Sequence, residues 1–275
     1  MKNENSRKPR SVEADIIYQE LEDFFCPCRF DDVTFNGLIL DNAEKLTAVY
    51  TATFSSREVI DVLKKRNVEN ALLFTHHPGP QRGIGKSCES FTEDDFAFLR
   101  ERNISHFNYH LPLDHRNPYS PSVSLAKKIG AVPYQNFFEE GGAVMGLFCT
   151  GQWKTDAQVL SAVEQAVGHS CKLYSYGGAL LQDGKIAISA GGAEGTDIYN
   201  EMAEAGVKLF ITGVGSKNVD WFAPSHQAAE KQGISILAAG HYSTEKFALI
   251  DMCRFFEERG LTAKYIEEIP QLTDL

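Results

Sequence analysis

Nowhere in the chain do eighteen apolar residues run together, so nothing in it reads as a membrane-spanning helix. The opening stretch MKNENSRKPRSVEAD carries charge but leads into no apolar segment of the kind a secretory signal needs. No C-x-x-C pair occurs. Cys26, Cys28, Cys88, Cys149, Cys171 and Cys253 are scattered through a chain too large to need disulfide staples, and reduced thiols are the expectation. Cys26-Pro27-Cys28 is the only close pair, and one intervening residue is poor spacing for a shared tetrahedral ion. Positive charge is also short. A net charge of -10 argues against a broad surface for nucleic acid, although a local basic groove stays open. Low-complexity segments, short-period repeats, a P-loop and a dinucleotide fingerprint are all missing. These absences leave the expectation of a soluble, cytoplasmic, globular protein. With 275 residues, 43% of them hydrophobic, it can bury a substantial core, and two lobes are expected.

The apolar pattern supplies an α/β cadence. Residues 12 to 24 place Val12, Ile16, Ile17 and Leu21 at helical spacing. LTAVYTATF, residues 46 to 54, reads as a strand, and SSREVIDVLKKRN follows with a Ser-x-x-Glu capping box and a helical pattern. ALLFTHH gives a second strand. A glycine-rich loop around Gly79 to Gly85, a helix from about Thr92 to Arg102 and a strand from Ile104 to about Tyr109 come next. The second half repeats the cadence: AVMGLFCTGQ as strand, TDAQVLSAVEQAVG as helix, then KIAISAGGAEGTDIYNEMAEAGVKLFITG as a whole βαβ unit. ISILAAG leads into a last helix, HYSTEKFALIDMCRFFEERG. The predicted fold is α/β, with two related lobes of mostly parallel sheets over residues 1–136 and 137–275 and a cleft between them. The boundary is placed in the bland stretch from Tyr134 to Gly142, with the C-terminal helix free to pack on the first lobe.

Candidate chemistry gathers at three strand ends. In FTHHPGP, His76 and His77 stand where Pro78, Gly79 and Pro80 must break the strand, so the turn lets both imidazoles converge or lets each serve a different ion. In YHLPLDH, Pro112 is expected to prevent a regular helix, leaving His110 and Asp114 on a turn and His115 facing solvent. In GHYSTE, His241 and Glu245 lie four apart at the start of a helix, on one face, as either a ligand pair or a solvated one. Each cluster follows a predicted parallel strand, at the end where open α/β sheets bind ligands. His76, His77, Asp114, His241 and Glu245 form a mixed nitrogen and oxygen set suited to zinc, iron, manganese or nickel. Five protein ligands exceed the needs of one catalytic ion, which favours two divalent ions with Glu245 bridging. His106 reads as packed and His169 as a helix-end cation, while His226 either lines the crevice or does not. Gly191-Gly192-Ala193-Glu194-Gly195 is either an anion-binding turn or a tight turn that needs glycine.

LLFTHHP, YHLPLD, AISAGGAEGTDIYNEMAEAGVKLFITG and AAGHYSTE, in that order and spacing, resemble the NIF-three-like family, whose bacterial members are often labelled GTP cyclohydrolase I type 2 homologues. The likeness runs from Asn36-Gly37-Leu38 to about Glu245 and matches the short form, without an inserted domain. It implies two related α/β lobes, a dinuclear site between them held by the same five residues, and a ring-like homohexamer. His110 matches a family histidine beside the metals and takes proton transfer or a supporting role. Departures occur at Gly79-Pro80-Gln81-Arg82-Gly83, where relatives are bulkier, and at Val214, where many are acidic. The expected function is metal-dependent hydrolysis of a small substrate, a purine nucleotide if the family label holds. The alternative is a non-catalytic metal-binding regulatory or interaction protein, for which nucleic acid is an unfavoured partner.

Overall fold

Short capped helices alternate with apolar strands along the chain, and a computed structural model describes them for residues 11–78, 91–270 and 272–275. The glycine-rich loop expected at Gly79 to Gly85 lies outside the described residues. A two-residue strand β1 (Val12–Glu13) leads into α1 (Ala14–Phe25), whose buried face is Ala14, Ile17, Tyr18, Leu21 and Phe25. Cys26 ends that helix in the left-handed region, φ 46°, with its thiol donating to the Asp23 carbonyl, a structural use of the Cys-Pro-Cys segment. β2 (Gly37–Leu40), β3 (Lys45–Leu46) and β4 (Ala48–Phe54) follow. α2 (Arg57–Lys65) is capped by Ser56, whose hydroxyl accepts from the Val59 amide, so the cap falls one residue later than the Ser-x-x-Glu pattern suggests. Glu58 instead accepts from the Ile269 amide.

β5 (Ala71–His77) is buried along its whole length. The strand therefore does not break before the paired histidines; it carries both to its end. α3 (Glu93–Glu101) starts with a capping box between Thr92 and Asp95, and β6 (Ile104–Asn108) follows. α4 (Leu111–Asp114) is a single helical turn, and Asp114 stands on a turn as expected. Pro112 sits in its first turn, where no intrahelical amide bond is lost. α5 (Pro121–Ile129), β7 (Val132–Glu140) and β8 (Ala143–Thr150) come next. The 136/137 boundary falls inside β7, which pairs as a hairpin with β8. α6 (Asp156–Val167), β9 (Lys172–Tyr174), β10 (Lys185–Ser189), α7 (Ile198–Glu204), β11 (Leu209–Thr212), α8 (Ala223–Gln232), β12 (Ser235–Ala238), α9 (His241–Glu257) and β13 (Thr262–Tyr265) complete the order.

Apart from the antiparallel pair β1–β3, the described strands form two larger sheets with parallel centres, the expected α/β class. One has the order β13-β4-β5-β6-β2, with only the β2–β6 pairing antiparallel. The other has the order β7-β8-β10-β11-β12-β9, with β10, β11 and β12 parallel. Helices cover both faces of each sheet, as parallel strands require. α9 joins the two halves. Its Ala248, Leu249, Met252, Phe255 and Phe256 enter the core over Leu72, Phe74 and Phe107 of the first sheet, while Phe247 enters the core over Ile188, Ile211 and Leu237 of the second. β13, beyond α9, pairs with β4, so the chain returns to the sheet it began with. Among the described residues, no helix is long and apolar enough to cross a membrane.

Phe256 is fully buried and its ring meets Phe74 edge-on at 5.6 Å. Phe256→Ala is expected to cost about 3–5 kcal/mol. Equilibrium denaturant unfolding checks this, with a single transition expected because α9 belongs to both cores.

Candidate metal centre

The site begins at the end of β5. Adjacent residues on a strand leave opposite faces, yet the His76 and His77 rings lie 4.2 Å apart between centroids. β5 has outrun its ladder with β6 there, the last paired residues being Thr75 and Asn108. His76 donates from Nδ1 to the Tyr109 carbonyl at 2.8 Å, which leaves the Nε2 lone pair turned into the site. That Nε2 is buried, has no hydrogen-bond partner, and faces Asp114 Oδ1 at 3.4 Å and Glu245 Oε1 at 3.6 Å.

α9 supplies the other side. His241 and Glu245, one turn apart, bring Nε2 to within 2.9 Å of Oε1, and His77 Nε2 lies 2.9 Å from Glu245 Oε2. His77 is stacked on Phe54, 4.9 Å between centroids and 17° between planes. His76, His77, Asp114, His241 and Glu245 are all at least nine-tenths buried. The ligand atoms fall into overlapping groups, each within 4.8 Å: His76, Asp114 and Glu245; His77, His241 and Glu245; and His76, His77 and His110.

Glu245 reaches this position because Gly191 makes room for it. A Cβ on Gly191 would lie 2.2 Å from Glu245 Oε1, and the residue's φ of +72° favours glycine in any case. The Gly191 amide donates to Thr244 Oγ1 at 2.9 Å, and its carbonyl accepts from Val214 at 2.8 Å. Of the two readings of the glycine turn, the structure supports the tight turn that needs glycine, and that turn forms a wall of the site.

Buried charge sets the electrostatics. Burial works against a charge on His76, but Asp114 and Glu245 raise its pKa well above the ordinary histidine value. Burial and the neighbouring His76 push His77 well below it. His241 is raised, Glu245 outweighing the effect of burial. Burial alone would raise Glu245, yet His241, His77 and His76 bring it far below the usual carboxylate range. Two inward-facing carboxylates beside imidazole lone pairs demand positive charge among them. The raised pKa values of His76 and His241 answer that demand in part. A divalent cation fits the same demand, and the orphaned His76 Nε2 between two acceptors is the atom that a cation would satisfy.

The structure brings all five expected ligand residues together, with His110 beside them. The His110 ring lies 5.3 Å from His76 and 5.1 Å from His77, and its Nε2 lies 3.8 Å from Asp114 Oδ2. Sequence reasoning missed what holds it. Asp32 accepts from His110 Nδ1 at 3.0 Å, from the Leu111 and Thr34 amides at 2.9 and 2.8 Å, and from Asn36 Nδ2 at 2.8 Å. Asn36 Oδ1 in turn accepts from the His110 amide at 2.7 Å. Burial would raise the Asp32 pKa, but His110 and these other donors hold it well below the carboxylate range. Nothing local in FDDVTFNG marks this aspartate; the Asn36-Gly37 turn was the only visible signal.

The other histidines lie apart from this cluster. His226 bonds to Tyr176 Oη at 2.8 Å and donates to the Gly215 carbonyl at 2.9 Å, amid Tyr174 and Phe222, so it does not join the ligand groups. His106 is packed as expected, bonded to Thr75 Oγ1 at 2.8 Å, and burial lowers its pKa to about 3. His115, expected to face solvent, accepts from the Val144 amide through Nδ1 at 3.1 Å and packs on Phe30. His169 is bonded to Ser243 Oγ at 2.7 Å.

The family model for Duf34/NIF3 (NGG1p interacting factor 3) matches residues 12–270. The chain belongs to the Duf34/NIF3 family. A relative from Archaeoglobus fulgidus, named GTP cyclohydrolase 1 type 2 homolog, is 29% identical over 255 residues, covering 91% of this chain and 96% of the relative. Among solved structures, protein ybgI, described as of unknown function, superposes with a TM-score of 0.78 at 20% identity, covering 94% of this chain and 100% of ybgI. The TTHA1606 protein of Thermus thermophilus gives 0.72 at 19% identity, covering 95% of this chain and 100% of that one. These likenesses establish the Duf34/NIF3 fold over nearly the whole chain.

Gly191→Ala tests the wall directly. The added methyl is expected to displace the Glu245 carboxylate and lower affinity for a divalent ion at least roughly 10-fold, while far-UV circular dichroism stays native. Calorimetric titration with zinc measures the loss.

Proposed function

We propose that this Duf34/NIF3 protein is a hydrolase that depends on two divalent metal ions and acts on a small substrate. One observation carries the reading: two ligand groups, His76 with Asp114 and His77 with His241, share the single buried carboxylate of Glu245. Five protein ligands with one shared carboxylate suit a pair of ions better than one. Zinc, iron, manganese and nickel all accept this donor set. When bound, such a pair supplies a lowered pKa for water and a sink for negative charge developing on the substrate.

The chain's own residues do the rest. Asp32 holds the Nδ1 proton of His110, so Nε2 is the basic nitrogen and is turned toward Asp114. His110 is thereby set to take a proton at Nε2 from an attacking water and return it to a leaving group. Asp32 steadies the imidazolium that forms in between. Burial of His76, His77 and Glu245 keeps bulk water from competing for the ligand atoms. The relatives' name, GTP cyclohydrolase 1 type 2 homolog, makes a purine nucleotide the first substrate to try. A ring-like homohexamer in the cytoplasm belongs to the same proposal.

The reading predicts two linked outcomes. Metal uptake should release protons, because the facing carboxylates, against burial, raise the pKa values of His76 and His241 in the metal-free protein. Apparent zinc affinity should therefore rise with pH across the neutral range, as calorimetry in buffers of different ionisation enthalpy would show. On metal-loaded protein, a screen of nucleotides, phosphoesters and cyclic amides should find turnover that Asp114→Ala and Glu245→Ala abolish. His110→Ala should lower kcat roughly 10²- to 10⁴-fold with metal content unchanged. Full metal loading with no turnover across the screen would instead favour a metal-binding regulatory or interaction role.

A further inference from the structure

Beyond β13, Ile266 and Glu268 stay with the first sheet and Asp274 meets the second. The Ile266 amide continues the sheet by donating to the Thr51 carbonyl at 2.8 Å. The buried Glu268 carboxylate then accepts from the Thr53 and Phe54 amides at 2.9 and 3.2 Å and from Ser56 Oγ at 3.1 Å. Its own amide donates to Tyr242 Oη at 2.8 Å. Farther on, the Asp274 carbonyl accepts from the Gly215 and Ser216 amides at 2.8 and 2.9 Å. Asp274 Oδ2 accepts from the His241 amide at 3.3 Å. Both carboxylates are buried.

Two of these bonds lie directly behind an imidazole of the site. Glu268 fixes the backbone of Phe54, whose ring stacks on His77 and meets His241 edge-on at 6.0 Å. Asp274 takes the first amide of α9, a helix whose N-cap is Gly240 and offers no side chain of its own. A carboxylate there is favoured by the exposed amides of the helix start, and it fixes the turn that carries His241. Among the described residues, no hydrogen bond links this tail to His76, His110 or Asp114. The tail thus ties the first sheet to the second through one half of the centre only.

We infer that Glu268 and Asp274 are positioning residues for one of the two ions, the one held by His77, His241 and Glu245, and not for the one held by His76, Asp114 and Glu245. The inference rests on the dinuclear reading above. Residues that orient metal ligands from behind commonly set affinity by roughly 10- to 100-fold. Here that control would be exerted by a segment distant in sequence from every ligand residue except those of α9.

The test isolates each half of the centre in the full chain. Asp114→Ala leaves the His77, His241 and Glu245 set, and His77→Ala leaves the His76, Asp114 and Glu245 set. In the Asp114→Ala background, adding Asp274→Ala should weaken zinc binding roughly 10- to 100-fold, whereas in the His77→Ala background the change should stay under about 2-fold. Asp274→Asn should restore the loss, since its amide oxygen still accepts from the His241 amide. Glu268→Ala, with Glu268→Gln as the restoring variant, gives a second and independent reading of the same asymmetry. Equal losses in both backgrounds, or no loss in the first, would overturn the assignment while leaving the two-ion centre standing. Uptake of a single zinc by the unmodified protein would contradict the dinuclear reading itself and remove this inference with it.

Discussion

The structure depends on one buried carboxylate. Glu245 sits inside the protein with three imidazoles around it, and its charge is tolerated only because they, or a cation, answer it. That constraint accounts for two features of the site: a glycine at 191 where any side chain would collide with the carboxylate, and an imidazole nitrogen of His76 left without a hydrogen bond in a fully buried position. Removing Glu245 alone would take from His77 and His241 the carboxylate that each faces at 2.9 Å, so the carboxylate and its imidazoles act as a unit.

The fold makes that unit possible by using strand ends from two sheets. β5 and β6 of the first sheet deliver His76, His77 and, after one helical turn, Asp114; β12 of the second delivers α9 with His241 and Glu245. In both sheets these are the carboxyl ends of parallel strands, where loops can aim side chains into a shared crevice. α9 is buried on two sides and packs into the cores of both sheets, so the distance between the halves is set by packing and not by a flexible linker. A ligand set spread over two sheets needs such rigidity, since coordination tolerates only small displacements.

Much of this was legible in the sequence. The strands at 48–54, 71–77 and 104–108 and the helix after His241 follow from apolar runs and caps, and the ligand residues stand out because each follows such a run. The failures have physical reasons. Pro112 was read as a helix breaker, but the first turn of a helix is where proline costs nothing. Tyr134 to Gly142 looked bland because β7 is an edge strand with mostly exposed residues, although it pairs closely with β8. Asp32, Glu268 and Asp274 were invisible because their roles come from contacts across tens or hundreds of residues, with no spacing to betray them.

The central claim is that Glu245 stands between two cations. Crystals of the protein grown with zinc and measured at the zinc absorption edge test it most directly. The account predicts two anomalous peaks per chain, roughly 3.5–4 Å apart, one beside His76 and Asp114 and the other beside His77 and His241, each in contact with a different oxygen of Glu245. A single peak, or peaks that leave Glu245 uncoordinated, would contradict it.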